Sequence, residues 1–138
     1  MEIPSHPINE WISELKPYQS SSIFLLLETY EVEEVLQRWL SANGPTSTIQ
    51  FGGNGNSPVP FVDRFKEEFR KFICGDSSYD QYREKLLLES PVAKGMLISS
   101  ISAALGATLG YAAALLAPAV AVMLHIVGAI SVNAWCSA

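Results

Sequence analysis

Charged side chains are unevenly distributed in this chain of 138 residues, and its last 44 residues contain none. All 14 acidic and nine basic side chains lie within residues 1–94, so the segment from Gly95 to Ala138 has no Asp, Glu, Lys or Arg. The net charge of −5 argues against a protein that coats a nucleic-acid backbone. A hydrophobic content of 49 % argues against a disordered chain. The sequence therefore predicts a soluble acidic part followed by an apolar tail.

Residues that could carry chemistry are also scarce. Cys74 and Cys136 are the only cysteines, and without a CxxC spacing they predict neither a disulfide framework nor a zinc site, so we expect a reducing cytoplasm. His6 and His125 are the only histidines, and neither has a spacing that indicates a catalytic triad. The glycine-rich stretch 51–57 lacks the GK[ST] ending of a phosphate-binding loop. We predict no enzyme activity, no catalytic residue, no metal site and no cofactor.

The pattern of apolar, glycine and proline residues divides the chain into four segments. Residues 1–43 predict N-terminal helices, with either a break near Thr29 to Glu31 or one long helix. Residues 44–60 are rich in Gly, Pro and Asn and predict a linker. Residues 61–90 predict a helical pair, and residues 91–138 predict a hydrophobic helical hairpin. The expected fold class is all-α, with a small N-terminal helical domain followed by this hairpin.

Four phenylalanines recur at helical spacing directly after the linker. Phe61, Phe65, Phe69 and Phe72 lie along one face of a predicted helix that ends at Gly75. Such an apolar stripe is typical of a helix that packs against a core. A second interpretation is a face that binds a protein partner or covers the apolar tail before membrane insertion.

The apolar tail is long enough for two membrane spans, because a hydrocarbon core of about 30 Å needs about 20 helical residues. Pro118 lies close to the middle of the tail. We therefore predict one helix over residues 92–116, a hairpin turn at Ala117 and Pro118, and a second helix over residues 118–136. A re-entrant hairpin, or a hairpin buried by other helices in a soluble or oligomeric assembly, is the alternative that the sequence leaves open.

The residues that flank the tail predict its orientation. Arg83, Lys85 and Lys94 precede the first predicted span, and no charge follows the second. Basic residues near a span tend to remain on the cytoplasmic side. We therefore expect a protein of the cytoplasmic or inner membrane whose soluble domain faces the cytoplasm.

Small and polar residues within the tail predict association between helices. A strip of small residues on one face of the first span, which includes a GxxxG, permits close helix packing. This strip consists of Ser99, Ser102, Gly106 and Gly110. Further polar residues in the tail would line a pore or be buried between helices. They are Thr108, His125 and Asn133.

These features predict a non-enzymatic membrane effector in which a helical domain controls a self-associating hairpin that inserts into or permeabilises a bilayer. The expected partners are a lipid bilayer, further copies of the chain and a protein that contacts residues 1–90, with no nucleic acid. The alternative is a structural or adaptor subunit whose tail anchors it or is buried by a partner. The architecture is similar, without a shared motif, to that of prokaryotic membrane-targeting effectors and pore-forming toxins.

Overall fold

Helices make up the regular secondary structure of the described residues, in agreement with the all-α prediction. The computed structural model describes residues 3–43, 61–88 and 93–137. Its helices are α1 (Ile8–Ile12), α2 (Pro17–Leu27), α3 (Val32–Asn43), α4 (Phe61–Cys74), α5 (Asp80–Leu87), α6 (Lys94–Leu109), α7 (Ala113–Ile130) and α8 (Val132–Ser137), with a short 3-10 helix at Ser77–Tyr79. The predicted linker at residues 44–60 lies outside the described residues.

Prolines mark the starts of the first two helices. Pro7 directly precedes α1 and Pro17 is the first residue of α2. The N–H groups at the start of a helix have no acceptor within the helix, so a proline there removes no helical hydrogen bond. The chain leaves the helical conformation between Leu27 and Val32. This confirms a break near Thr29 to Glu31 rather than one continuous helix. Helices α1 and α3 then pack against α7.

Helix α4 separates an apolar face from a charged face. Phe65, Phe69 and Phe72 are fully buried, as expected for a stripe that faces a core. Gly75 follows α4 with a φ of +97°, a conformation that glycine adopts without steric cost. The buried guanidinium of Arg83 in α5 then donates a hydrogen bond of 2.9 Å to the carbonyl of Phe72. One of the carbonyls left open at the end of α4 is thus satisfied within the protein.

Helices α6 and α7 form an antiparallel hairpin, and α7 lies at the centre of the protein. Besides α6, α7 contacts α1, α2, α3 and α8. Its middle section, residues 119–124, is buried on every side. A helix that is apolar all round requires such burial in a water-soluble protein. In this structure the apolar tail therefore forms a large part of the core.

The turn of this hairpin lies at residues 110–112, so the prediction of a turn at Ala117 and Pro118 is wrong. Gly110 ends α6 with a φ of +71°. Pro118 lies inside α7. A proline in a helix removes one backbone hydrogen bond and crowds the carbonyl four residues earlier. Here a side chain from α2, Gln19, supplies the missing donor to that carbonyl.

Among the described residues, α7 is the one helix with the length and apolar character to cross a membrane. Its 18 residues have a mean hydropathy of 2.2, and half of the stretch is buried inside the protein. Helix α6 is apolar but has 16 residues. The predicted pair of spans is therefore not confirmed. Length and composition alone do not separate a membrane span from the core helix of a soluble protein.

Candidate functional site: the apolar hairpin and its cover

Gly106 permits the tight turn between α6 and α7. The N–H of Tyr111 donates a 3.0 Å hydrogen bond to the carbonyl of Gly106. A Cβ atom at Gly106 would lie 2.6 Å from the carbonyl oxygen of Tyr111, which is closer than van der Waals contact allows. Gly110 supplies the left-handed residue that ends α6. Both glycines of the GxxxG therefore have a role within a single chain.

The predicted strip of small residues is divided between the core and the surface. Ser102 and Gly106 are buried, whereas Ser99 is exposed. The hydroxyl of Ser102 has no hydrogen-bond partner within the described part of the chain. Ala103 and Ala107 follow Ser99 at intervals of four residues, and both are exposed. The small side chains that a second molecule could reach are thus a different set from the predicted one.

The exposed positions between residues 95 and 137, here called the uncharged surface, carry no charged side chain. They hold only Ala, Ser, Gly, Thr, Asn, Met and Ile. By contrast, α3 exposes Glu33, Glu34 and Arg38, as is usual for a helix face in water. Burial explains why the core lacks charged residues, but it does not explain why the exposed positions of this segment lack them as well.

The N-terminal segment crosses the second half of α7. Ile3 is buried in the core, and a Cβ atom at Gly128 would lie 2.6 Å from the carbonyl oxygen of Pro4. Gly128 therefore permits direct contact between the two backbones. Nδ1 of His125 lies 3.1 Å from the carbonyl oxygen of His6. The predicted pore-lining histidine thus contacts the N-terminal segment, which together with α1 to α5 is here called the cover of the hairpin.

Two side chains from α2 and α3 donate hydrogen bonds to backbone carbonyls of α7 in the turn before Pro118. Because Pro118 has no N–H, the carbonyl of Ala114 lacks its helical donor. Gln19 Nε2 donates to that carbonyl at 2.7 Å, and Trp39 Nε1 donates to the carbonyl of Leu115 at 2.8 Å. Gln19 is 2 % exposed, so its burial depends on this bond. Sequence reasoning missed both residues, because no spacing rule relates them to α7.

The other polar residues of the predicted site have separate partners. Thr108 Oγ1 donates to the carbonyl of Ala104 at 3.2 Å and lies 3.0 Å from the hydroxyl of Tyr79. Asn133 is exposed on α8, and His125 meets the N-terminal segment. In this state of the protein Thr108 and His125 bond to other parts of the chain, and Asn133 lies at the surface. These residues could line a pore only after a rearrangement.

A hydrogen-bonded cluster joins α4 to the 3-10 helix and α6. The hydroxyl of Tyr79 donates to Glu68 Oε1 at 2.6 Å, and Lys71 donates to the other oxygen of Glu68 at 3.3 Å. Burial, followed by the hydrogen bond to Glu68, raises the pKa of Tyr79 above its ordinary value. The phenol is therefore a neutral donor that connects helices at physiological pH.

The phenylalanine stripe packs within the chain. The rings of Phe65 and Phe69 stack with centroids 6.2 Å apart, and the ring of Phe72 lies 5.4 Å from that of Tyr79. Phe61 is half-buried against Tyr111 at the hairpin turn. Three of the four rings are fully buried, so in this structure Phe65, Phe69 and Phe72 belong to the core.

Helix α8 is attached to α4 by a disulfide between Cys74 and Cys136, so the expectation of two separate thiols is wrong. Arg70 Nη2 donates to the carbonyl of Cys136 at 2.9 Å, and Trp135 packs edge-on against Phe69. No residue of α8 is fully buried. Because disulfides persist in oxidising surroundings, the cysteines no longer support a reducing compartment.

Ser131 separates α7 from α8 through an unusual backbone conformation. Its φ of 115° and ψ of 151° belong to a region that costs residues with a Cβ about 1–3 kcal/mol. Its Oγ accepts a 3.2 Å hydrogen bond from the N–H of Ala134 and thereby caps α8. Such a conformation persists only where the surrounding structure holds it.

A groove of about 970 Å³ lies between α2 and α3. Tyr18, Leu25, Tyr30 and Trp39 contribute to its apolar walls. Leu25 is 66 % exposed and Tyr18 is 60 % exposed. The guanidinium of Arg38 lies 3.8 Å above the ring of Tyr30 and forms one side of the groove. The groove therefore presents exposed apolar side chains outside the hairpin.

No group of three or more His, Cys, Asp or Glu residues that could hold a metal ion occurs among the described residues. No protein-family model, curated protein or solved structure matches the chain. Evidence on function therefore comes from the hairpin, the uncharged surface, the cover and the groove.

Proposed function

We propose that this protein is a non-enzymatic membrane effector and that the structure is its sheltered state. Helices α1 to α5 and the N-terminal segment cover the α6–α7 hairpin. Release of this cover lets the hairpin enter a lipid bilayer and associate with hairpins of other copies, which permeabilises the bilayer. The observation that carries the proposal is the uncharged surface.

The uncharged surface lacks charge at the positions where solubility would favour it. Each Asp, Lys or Arg at the centre of a span would cost about 2.5–3.5 kcal/mol on insertion. A soluble core helix needs no such restriction on its exposed side, and α3 and α4 place Asp, Glu and Arg there. A second environment made of hydrocarbon accounts for the restriction from Gly95 to the end of the chain.

The two helices of the hairpin would insert to different depths. The 18 residues of α7 correspond to about 27 Å, close to the 30 Å of a hydrocarbon core. The 16 residues of α6 correspond to about 24 Å, and Lys94 at its first position favours the membrane surface. The proposal gives α7 the spanning role and α6 a partly inserted one. The basic residues before α6 favour retention of α1 to α5 on the side of entry.

The small residues on the exposed face of α6 support self-association. Ser99, Ala103 and Ala107 are exposed at intervals of four residues, so they would lie on one face of an inserted helix. In a bilayer, small residues permit close contact between helices where the hydrophobic effect provides no attraction. This set replaces the buried Ser102 and Gly106 as the proposed contact.

Dye release from vesicles tests this function. Gln19→Leu, which removes a bond between the cover and α7, should release dye from phosphatidylcholine and phosphatidylglycerol vesicles faster than the wild type. Adding Ala103→Leu and Ala107→Leu should reduce release without reducing vesicle binding. Ala112→Leu with Ala134→Leu adds the same apolar area at other exposed positions and should leave release unchanged. The proposal is wrong if neither the wild type nor the loosened variant binds vesicles.

An adaptor subunit is the second candidate function, and the groove between α2 and α3 favours it. Exposed apolar side chains next to a cavity are typical of a surface that receives a partner protein. Leu25→Asp should then abolish co-purification of a defined partner, whereas Ser21→Asp, exposed on the same helix, should not. Under this function α7 remains a core helix, and no variant should release dye from vesicles.

A further inference from the structure

We propose that the Cys74–Cys136 disulfide is a redox switch. Its reduction lets α8 straighten onto α7, so that one helix extends from Ala113 to Ser137. The consequence for membranes rests on the proposed function, but the conformational change itself does not. The bend at Ser131 and the contacts of α8 carry the inference.

The bend between α7 and α8 is confined to one residue. The N–H of Ser131 still donates to the carbonyl of Val127 at 2.8 Å, which is a helical bond of α7. The carbonyl of Ser131 already accepts from the N–H of Trp135 at 3.0 Å, which is a helical bond of α8. A change in the backbone angles of Ser131 alone would join the two helices. Ser131 is also the only non-glycine residue with a positive φ among those described.

The disulfide is the covalent restraint that opposes this change. Without it, α8 retains a hydrogen bond from Arg70 to the carbonyl of Cys136 and the contact of Trp135 with Phe69. No side chain of α8 is fully buried, but Val132, Trp135 and Cys136 are partly buried against the core, and the guanidinium of Arg70 lies 5.5 Å from the ring of Trp135. Release of α8 would expose this partly buried surface. A residue such as Ser131 leaves the positive-φ region once its surroundings no longer hold it there.

Reduction requires an external dithiol. Cys74 is exposed to solvent, so a dithiol can reach the disulfide. A thiolate of the dithiol attacks a sulfur of the disulfide and forms a mixed disulfide with release of one cysteine thiolate. The second thiol of the reductant then displaces the other cysteine. Two electrons and two protons pass to Cys74 and Cys136, which become thiols, and the reductant becomes a cyclic disulfide.

The joined helix is long enough to cross a hydrocarbon core completely, with some tilt, whereas α7 alone falls slightly short of it. Its 25 residues would measure about 37 Å, compared with about 27 Å for the 18 residues of α7. A hydrocarbon core of about 30 Å lies between these lengths. Trp135 would lie near the end of the longer helix, where tryptophan favours the membrane interface. Reduction would therefore complete the span that the proposed function requires.

Nuclear magnetic resonance of the full chain tests the switch without relying on membrane activity. Dithiothreitol should move the Cα chemical shift of Ser131 to a helical value, both in solution and in phospholipid nanodiscs. The variant Cys74→Ser with Cys136→Ser should give the helical shift without reductant. An unchanged Ser131 shift in the reduced wild type and in this variant overturns the proposal.

Two substitutions at Ser131 separate straightening from simple detachment of α8. Ser131→Gly tolerates the bend and should lower the ratio of straight to bent protein after reduction by about fivefold or more. Ser131→Ala should keep or raise that ratio. Equal ratios in the two variants contradict the role of Ser131. Vesicle binding is measured separately. A helical Ser131 shift after reduction without vesicle binding would support the switch and contradict the membrane function. An unchanged shift with equal vesicle binding by oxidised and reduced protein would contradict the switch and leave the membrane function supported.

Discussion

The side chain of Gln19 and the backbone carbonyl of Ala114, 95 residues apart in the chain, are joined by a 2.7 Å hydrogen bond. This carbonyl is the one that Pro118 leaves without a helical donor. Gln19 therefore makes a proline compatible with the interior of α7, and it connects α2 to the central helix. The bond gives a direct way to measure how the cover holds the hairpin.

Gln19→Leu should lower the free energy of unfolding by about 1–2 kcal/mol, because it removes the buried Gln19 amide and its part-buried hydrogen bond to the Ala114 carbonyl. Pro118→Ala restores an N–H to that carbonyl, so the same substitution in the Pro118→Ala background should cost less than about 0.5 kcal/mol. Urea unfolding of the four proteins in this cycle gives both values. Gln37→Leu, at an exposed position on α3, is the control and should change little. Equal costs in the two backgrounds would show that the bond to Ala114 is not the reason for the loss.

Gly106→Ala should destabilise the protein by about 1–3 kcal/mol, because the added methyl group meets the backbone oxygen of Tyr111 at 2.6 Å. Gly95→Ala is the matched control on the same helix. There the added Cβ meets only a side-chain oxygen of Glu14 at 3.0 Å, which can move. Gly95→Ala should therefore be neutral or stabilise by up to about 1 kcal/mol through helix propensity. Thermal unfolding compares the two, and a similar loss in both would contradict a specific role for the turn.

Tyr79 should make the protein less stable at alkaline pH. Its pKa in the folded state is raised above the ordinary value of 10.0, so the phenol ionises first in the unfolded chain. Its contribution is fully present below pH 10 and is lost as the pH rises further. Tyr79→Phe should cost about 0.5–1.5 kcal/mol at pH 7, through loss of the hydrogen bond to Glu68, and should flatten the decline above pH 10. Tyr82→Phe, at an exposed ring, is the control, and urea unfolding from pH 7 to 11 is the measurement.

Local patterns predicted the N-terminal helices and α4, but not the bounds of the helices in the tail. The spacing of Phe65, Phe69 and Phe72 predicted a buried face on α4, and the chain does break near Thr29 to Glu31. These features depend on interactions between residues a few positions apart, which periodicity reports directly. The lack of charge after Lys94 likewise predicted a segment that avoids water, and α7 is the buried centre of the fold.

The errors arose where distant residues decide local structure. Pro118 predicts a turn from its own chemistry, and only the donor from Gln19 explains why α7 continues through it. The pairing of Cys74 with Cys136 spans 62 residues and depends on how α4 and α8 meet, which no cysteine spacing reveals. The bend at Ser131 has no glycine to mark it.

Reduction of the disulfide should lower stability without unfolding the protein at 25 °C. A crosslink between residues 62 apart restricts the unfolded chain, and its loss should cost about 2–5 kcal/mol in the free energy of unfolding. The core should persist, because α8 contributes no fully buried side chain. Far-ultraviolet circular dichroism should thus retain the helical signal after dithiothreitol, while the urea midpoint falls. Cys74→Ser with Cys136→Ser should show the same lower midpoint and no further response to reductant. Complete loss of helical signal on reduction would mean that α8 holds the hairpin in place, contrary to its few contacts.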